Sequence, residues 1–450
     1  MKITIKFKII ILTISFLAFT SCTLDGGESL NGASTSSISD DLSKGELPQA
    51  ISGILSDMRF RLNTQVDVQS ILGREYYYFT SSDPRFEGDV VTGNMDNQTF
   101  YTTQAWGSRY SAVKEINLAL EGLTNTTSDF SAQEIAATRG VLNTLKAHQL
   151  LMVSNNQYTN GMRIDVSDPD NLGPFVSYDE ALTAIASLLS EAATDLASAN
   201  SLDLPTIFPL SSGYDDLRKI DPVTGEPLPI TSADFLEFNK ALTARVEAYR
   251  GNYSAVLAAL GGSFMDMVGN LNKGVYHTFS LTGADLANPL FIALNQEANV
   301  RVAHSSFLID AESGDLRTNK VVLRDTPREA SGLVGTHDVW IYQSLVDNVP
   351  IIRNEELILL FAEANMVTNP TDAVNALNVI RNAAGLPDYA GALTPSALED
   401  EMLKQRRYSL FGESHRWVDM RRFGRLSELP NDRPGDMVPS TIPIPFDENQ

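Results

Sequence analysis

The feature that most constrains this chain is the apolar stripe Tyr178, Leu182, Ile185, Leu189, Ala192 and Leu196. Steps of three and four put all six on one face of a helix, and such a face must be buried against another element. The periodicity recurs over 42–60 and 103–123, and through Val141, Leu142, Leu145, His148 and Met152. It returns over 232–260, 351–366, 371–383 and 395–411. Strand-like alternation is confined mainly to 275–345, in pieces such as Asn319 to Leu323 and Val339 to Tyr342. The expected fold is therefore mostly α, with an irregular, loop-rich insertion at about 263–345 that contains short strands.

Two segments read as helical hairpins with small residues at the crossings. One runs from Ala241 through Tyr249, Gly251 and Ala255, the other from Leu357 through Ala364, Thr371 and Ala376. Their alanines let helices approach closely, and their turn residues resemble those of tetratricopeptide repeats. Prolines cluster at 205–229 and 430–445, which makes both stretches loop or extended chain. With 450 residues, 43% of them apolar, and no convincing internal linker, residues 46–450 read as one domain.

The N-terminus carries Lys2, Lys6 and Lys8, then an apolar stretch from Ile9 to Phe19 that is too short to span a bilayer. Cys22, the one cysteine in the chain, follows directly. Residues 1–21 thus read as a signal peptide and 22–45, rich in Ser, Gly and Asp, as a flexible tether. A lone thiol at that point has no partner for a disulfide, which points to Cys22 as a lipid-acceptor residue. Lipid chains at one residue anchor a protein without making it span the membrane.

The net charge of −22 disfavours nucleic acid, and removal of the leader's three lysines makes the chain more negative still. The five histidines, His148, His277, His304, His337 and His415, show no metal-ligand spacing, and nucleotide-binding, zinc-protease and nucleophile-elbow motifs are absent. No cofactor is expected. Asp165, Asp168, Asp170 and Asn171 form an oxygen-rich loop that could hold a structural calcium, although not with EF-hand spacing. Aromatic residues are the stronger lead. Arg74, Tyr76, Tyr77, Tyr78 and Arg85 lie between the first two candidate helices, Trp106 follows, and Trp340 and Tyr342 lie in the insertion. Rings stack on the apolar faces of sugars while nearby polar groups bond to the hydroxyls. The competing reading is that the tyrosine run simply packs the domain.

The C-terminal third carries a specific pattern. Asn354-Glu355-Glu356-Leu357 opens a helix reaching Ala362-Glu363-Ala364. Ala376-Leu377-Asn378-Val379-Ile380-Arg381 leads to Ala384-Gly385-Leu386, and Arg406 to Gly424 follows, then Ile442-Pro443-Ile444-Pro445. These residues resemble the SusD/RagB family of outer-membrane lipoproteins of Bacteroidota, and Cys22 sits in what looks like the loose lipobox of that group. The resemblance implies a surface-exposed, lipid-anchored receptor that binds a nutrient, mostly oligosaccharides in this family, and passes it to a SusC-like TonB-dependent transporter. It implies binding without catalysis. It also places ligands on loops after the first helix and on the central insertion, where the aromatic candidates lie. Alternatives are a peptide-binding RagB-like receptor, a tetratricopeptide-like assembly scaffold without a small ligand, and a surface hydrolase.

Within the 406–424 block, Glu413, Arg416, Asp419 and Arg422 alternate in sign at intervals of three, which suggests neighbours on one helical face. With Arg407 they form an expected structural clamp that holds the C-terminal segment on the helices, since arginine can grip a carboxylate through two parallel hydrogen bonds.

Overall fold

The computed structural model describes residues 35–449 apart from Ala284. Cys22, the leader and the start of the expected tether lie outside the described residues. The helices are α1 (Thr35–Asp40), α2 (Leu47–Asp57), α3 (Leu62–Leu72), α4 (Phe100–Asn125), α5 (Ala132–Gln157), α6 (Tyr178–Ser198), α7 (Ser232–Tyr249), α8 (Tyr253–Leu260), α9 (Ser306–Ile309), α10 (Asn354–Asn365), α11 (Pro370–Ala383), α12 (Pro395–Ser409) and α13 (Arg416–Arg422). The strands are β1 (Tyr76–Thr80), β2 (Met162–Arg163), β3 (Phe175–Val176), β4 (Gly274–His277), β5 (Asn299–Ala303), β6 (Val321–Ala330), β7 (Leu333–Val339) and β8 (Val349–Arg353).

Capping chemistry fixes where several long helices start. Ser131, Ser177 and Thr231 each accept a bond from the backbone three residues on, while Glu134, Glu180 and Asp234 reach back to the cap. In α6 the stripe residues Leu182, Ile185, Leu189, Ala192 and Leu196 are all buried, and each leucine or isoleucine adds roughly 1.5–3 kcal/mol of transfer free energy. The longer helices pack on successive neighbours: α4 on α5, α5 on α6, α6 on α7, α7 on α8, α10 on α11 and α11 on α12, with α8 against α10 joining the two runs. The hairpin expected through Gly251 is present, because that residue at φ 69° turns the chain between α7 and α8. The fold is thus mostly α, built of tetratricopeptide-like hairpins.

Three boundaries differ from the sequence expectation. The tether does not extend to residue 45. Ile38 and Leu42 are buried, and α1 lies so close to α4 that a Cβ at Gly122 would stand 1.6 Å from the Ile38 carbonyl oxygen. Helix α3 is not legible in the sequence because Gln65, Asp67, Gln69 and Ser70 are buried on it together with Val66, Val68 and Ile71, leaving no polar face. The insertion reaches 353, because β8 pairs antiparallel with β4 (Gly274 opposite Arg353) before running into α10. β1, far outside the insertion, edges its four-stranded sheet in the order β1-β5-β7-β6, with Tyr76 opposite Ala303.

Candidate functional site

The eight aromatic and basic residues proposed to meet a ligand do not come together. Arg74 follows α3 in the left-handed region (φ 52°) and is fully buried. Its guanidinium donates to the carbonyls of Pro430 (2.9 Å), Ile71 (3.1 Å), Val91 (2.9 Å) and Met437 (3.3 Å), so it is a structural tie and not a ligand contact. Tyr76 and Tyr77 are likewise core residues. The Tyr76 hydroxyl donates to Asp67 at 2.9 Å, and Tyr77 stacks on Phe79 with ring centroids 5.7 Å apart. Tyr78 is partly exposed, but the Arg301 guanidinium covers its ring at 4.7 Å. Arg85 grips Asp83 through two hydrogen bonds of 2.7 and 2.5 Å and lies over Phe100.

The expected clamp is also distributed differently. Gly412 (φ 73°) and the turn after it keep Glu413 off α13, so the three-residue spacing does not place it on that face. Glu413 instead holds Arg353 at 2.8 Å. Asp419 meets Arg422 at 3.0 Å and Arg406 at 2.7 Å, Arg422 grips Glu363 of α10, and Arg407 pairs with Asp310. Arg416 has two guanidinium nitrogens without a partner among the described residues. Two residues outside the expected clamp hold the C-terminal segment. Trp417 donates to the Pro439 carbonyl at 2.8 Å and Arg421 to that of Ser440 at 2.9 Å.

Of the sequence candidates, Tyr342 lines a mixed polar and aromatic cleft, and Trp340 stands just before it in the chain. A cleft of about 360 Å³ lies between the start of β4, the residues after β7, and the start of α10. Tyr276, Ile341 and Tyr342 give it ring and apolar surface, while Asn272, Asn348 and Asp347 add polar groups. Tyr276 is partly exposed and its hydroxyl donates to the Asn272 carbonyl. The Tyr342 hydroxyl is buried without a partner among the described residues. Trp340 precedes these residues, its ring 6.2 Å from that of Phe291 and its backbone N–H on the carbonyl of Lys320.

The charges that line the cleft are committed to the protein. Burial brings the Lys320 ammonium down to about 8, and it donates to the carbonyls of Tyr408 and Ser409. Burial alone would raise the Glu355 carboxyl, but the Arg353 and Lys320 cations outweigh it and hold it below the ordinary range. Arg353 pairs with both Glu355 and Glu413. A partly exposed tyrosine ring and two asparagines beside charges bonded within the protein suit an uncharged, hydroxyl-rich ligand.

Trp106 lies elsewhere. It is buried on α4 with its ring 4.8 Å from Tyr110 and 6.2 Å from Phe175, beside an apolar pocket of about 160 Å³. The oxygen-rich loop turns on itself: Asp165 Oδ1 accepts from Ser167 and Asp168 Oδ1 from the N–H of Asp170. Among the described residues no group of three or more His, Cys, Asp or Glu is arranged to hold a metal ion. No described helix is long and apolar enough to cross a membrane.

A helical-hairpin scaffold carrying a strand-containing insertion defines the class, and comparison with known proteins agrees. The SusD family model matches residues 327–440. A SusD-like protein of Formosa agariphila is 31% identical over 132 residues, which cover 27% of this chain and 26% of that protein, so the match spans about a quarter of the relative. The surface glycan-binding protein A of Bacteroides uniformis superposes with a TM-score of 0.66 at 15% identity, over 90% of this chain and 97% of that one. The Bacteroides thetaiotaomicron protein of the same name, in complex with laminarihexaose, gives 0.65 at 14% identity over 90% and 97%. A laminarin-binding SusD-like protein gives 0.61 at 16% over 91% and 97%. Residues 327–440 are thus similar to the SusD family, and the fold is that of SusD-superfamily structures.

Proposed function

We propose that this protein is a cell-surface glycan receptor, lipid-anchored through Cys22 to the outer membrane, that hands an oligosaccharide to a SusC-like TonB-dependent transporter without cleaving it. The observation that carries the reading is the cleft of Tyr276, Tyr342 and the asparagine amides, set on a scaffold whose relatives include glycan-binding proteins. Stacking of a sugar face on the partly exposed Tyr276 ring, with hydroxyls on Asn272 and Asn348, requires no acid or base. The net charge of −22 favours a neutral glycan over a polyanionic one. Delivery and anchoring rest on the family resemblance and on the position of Cys22.

Calorimetric titration of the protein lacking residues 1–22 against laminarin and a panel of neutral and acidic polysaccharides tests this reading. Saturable binding of a neutral glycan that is weakened by Tyr276→Ala supports it. Binding only of acidic glycans, or release of shorter sugars during the titration, overturns it.

A further inference from the structure

The cleft of Tyr276 and Tyr342 is lined by a single amine. Lys320 ends the short turn Leu316–Lys320 that leads into β6, lines the cleft and is partly exposed. Its Nζ donates to the carbonyls of Tyr408 (2.8 Å) and Ser409 (2.5 Å) at the end of α12. An ammonium carries three N–H donors, whereas a neutral amine carries two donors and a lone pair. Two carbonyls therefore satisfy the neutral amine completely, and its lone pair is left outside those bonds.

The carboxylates around Lys320 are not free to hold an ammonium. The two that attract it, Glu413 and Glu355, are both paired with Arg353, while Arg353 itself and Arg317 repel it. Glu75, a further carboxyl that interacts with Lys320, is fully buried and raised to about 8, so it is neutral at pH 7. Burial, helped by the two guanidinium cations, brings the Lys320 ammonium down to the same value. Lys44, Lys219 and Lys404, by contrast, each pair with a carboxylate. A desolvated lysine beside another cation is the setting in which an amine becomes a nucleophile.

We propose that Lys320 is a carbonyl-capture site, at which the amine condenses with an aldehyde that enters the cleft. The Nζ lone pair adds to the carbonyl carbon, a proton passes from Nζ to the former carbonyl oxygen, and the carbinolamine so formed loses water to give an imine. No oxidant or reductant is consumed, and hydrolysis reverses the step. Once protonated, the imine keeps one N–H for one of the two carbonyls. The aldehyde comes either from a free small aldehyde or from the open-chain form of a sugar's reducing end, and only the second source rests on the glycan reading. Capture of a reducing end tethers the sugar reversibly and leaves its glycosidic bonds intact.

The test incubates the purified protein with glyceraldehyde and sodium cyanoborohydride, which reduces an imine to a stable secondary amine, and maps the modified lysines by peptide mass spectrometry. At pH 7, Lys320 should be labelled roughly tenfold faster than Lys44, Lys219 and Lys404, since an ordinary lysine releases its proton only near 10.4. Its rate should level off above a midpoint near pH 8, while theirs go on rising. Laminarihexaose in place of glyceraldehyde should also label Lys320, and its borohydride-reduced alditol, which has no aldehyde, should not. Labelling by glyceraldehyde alone assigns the site to free aldehydes. Calorimetry with the alditol reads the glycan site by itself, so a failure of that reading and a failure of the amine are told apart. Labelling of Lys320 no faster than that of Lys219, or a rate that climbs with theirs to about pH 10, overturns the proposal.

Discussion

The guanidinium of Arg74, just after the third helix, donates to the carbonyl of Pro430, in the proline-rich segment near the other end of the chain. The two residues are 356 positions apart, and Arg74 also ties down the carbonyl of Met437. Arg433 works in the same direction, donating to the carbonyl of Glu87 at 2.8 Å. The extended C-terminal segment is therefore strapped across the N-terminal helices by arginine–carbonyl bonds, alongside the buried side chains of Leu429 and Ile442.

Replacement of Arg74 by methionine should cost about 3–5 kcal/mol, because four carbonyls lose their donor in a buried setting. Chemical denaturation of the variant should show this loss. If glycan binding by the remaining folded protein fell as well, Arg74 would have a role at the ligand after all.

Arg245 and Glu356 form a buried pair through two bonds of 2.6 and 2.5 Å, and Arg245 also donates to the Ile351 carbonyl. The pair joins α7 to α10. Burial would raise the Glu356 carboxyl, but the Arg245 cation brings it down to about 2. Glu356→Gln leaves a buried cation uncompensated and should destabilise by about 3–5 kcal/mol, measured by urea unfolding at pH 7. A loss below about 1 kcal/mol would mean that Arg245 finds another partner.

Stability should fall on mild acidification. Burial pushes His277 down to about 3 and His415 down to about 4, and it holds His148 well below its ordinary value. An unfolded histidine titrates near 6.5, so below that pH the unfolded chain binds protons that the folded chain refuses, and stability is lost as pH falls from about 6.5 toward about 4. The slope is about 1.4 kcal/mol per histidine for each pH unit. Shifted carboxylates such as Glu356 and Glu312 add to the loss only below about 4.5, while Glu75, which burial raises to about 8, opposes it between 6.5 and 5, where three histidines outweigh one carboxyl. A melting temperature that stays flat between pH 6.5 and 5 would refute the expectation.

Gly122→Ala should detach α1 from α4, since the new methyl group meets the Ile38 carbonyl oxygen. Tryptic cleavage at Lys44, which pairs with Glu134 at 2.9 Å, should quicken roughly tenfold while the helical body persists, as expected for loss of a local contact worth about 1.4 kcal/mol. Unchanged cleavage would show that α1 is held by other contacts.

Substitution of Trp340 by alanine should reduce glycan affinity roughly tenfold, about 1.4 kcal/mol, with little change in melting temperature because the ring is only partly buried. Calorimetry on the variant checks this, and full affinity would remove Trp340 from the site.

Local periodicity determined the helical class, the α6 stripe, the paired hairpins and the placement of Trp340 and Tyr342 in an insertion, because a buried helical face imposes a spacing that neighbours in sequence must obey. The tertiary structure decided the rest. Helix α3 is covered on every side, so no polar face marked it, and its Asp67 is neutralised by Arg301 from a strand far along the chain. Arg74, Tyr76 and Tyr77 resemble a ligand cluster in sequence because a run of rings and charge reads the same whether solvent or protein covers it. Only the pairing of β1 with β5 turned them inward. The sign alternation through Glu413 and Arg422 likewise suggests one helical face, and the left-handed turn at Gly412 sends its members to different partners. What surrounds a side chain is set by contacts between residues distant in sequence, and local spacing carries no record of them.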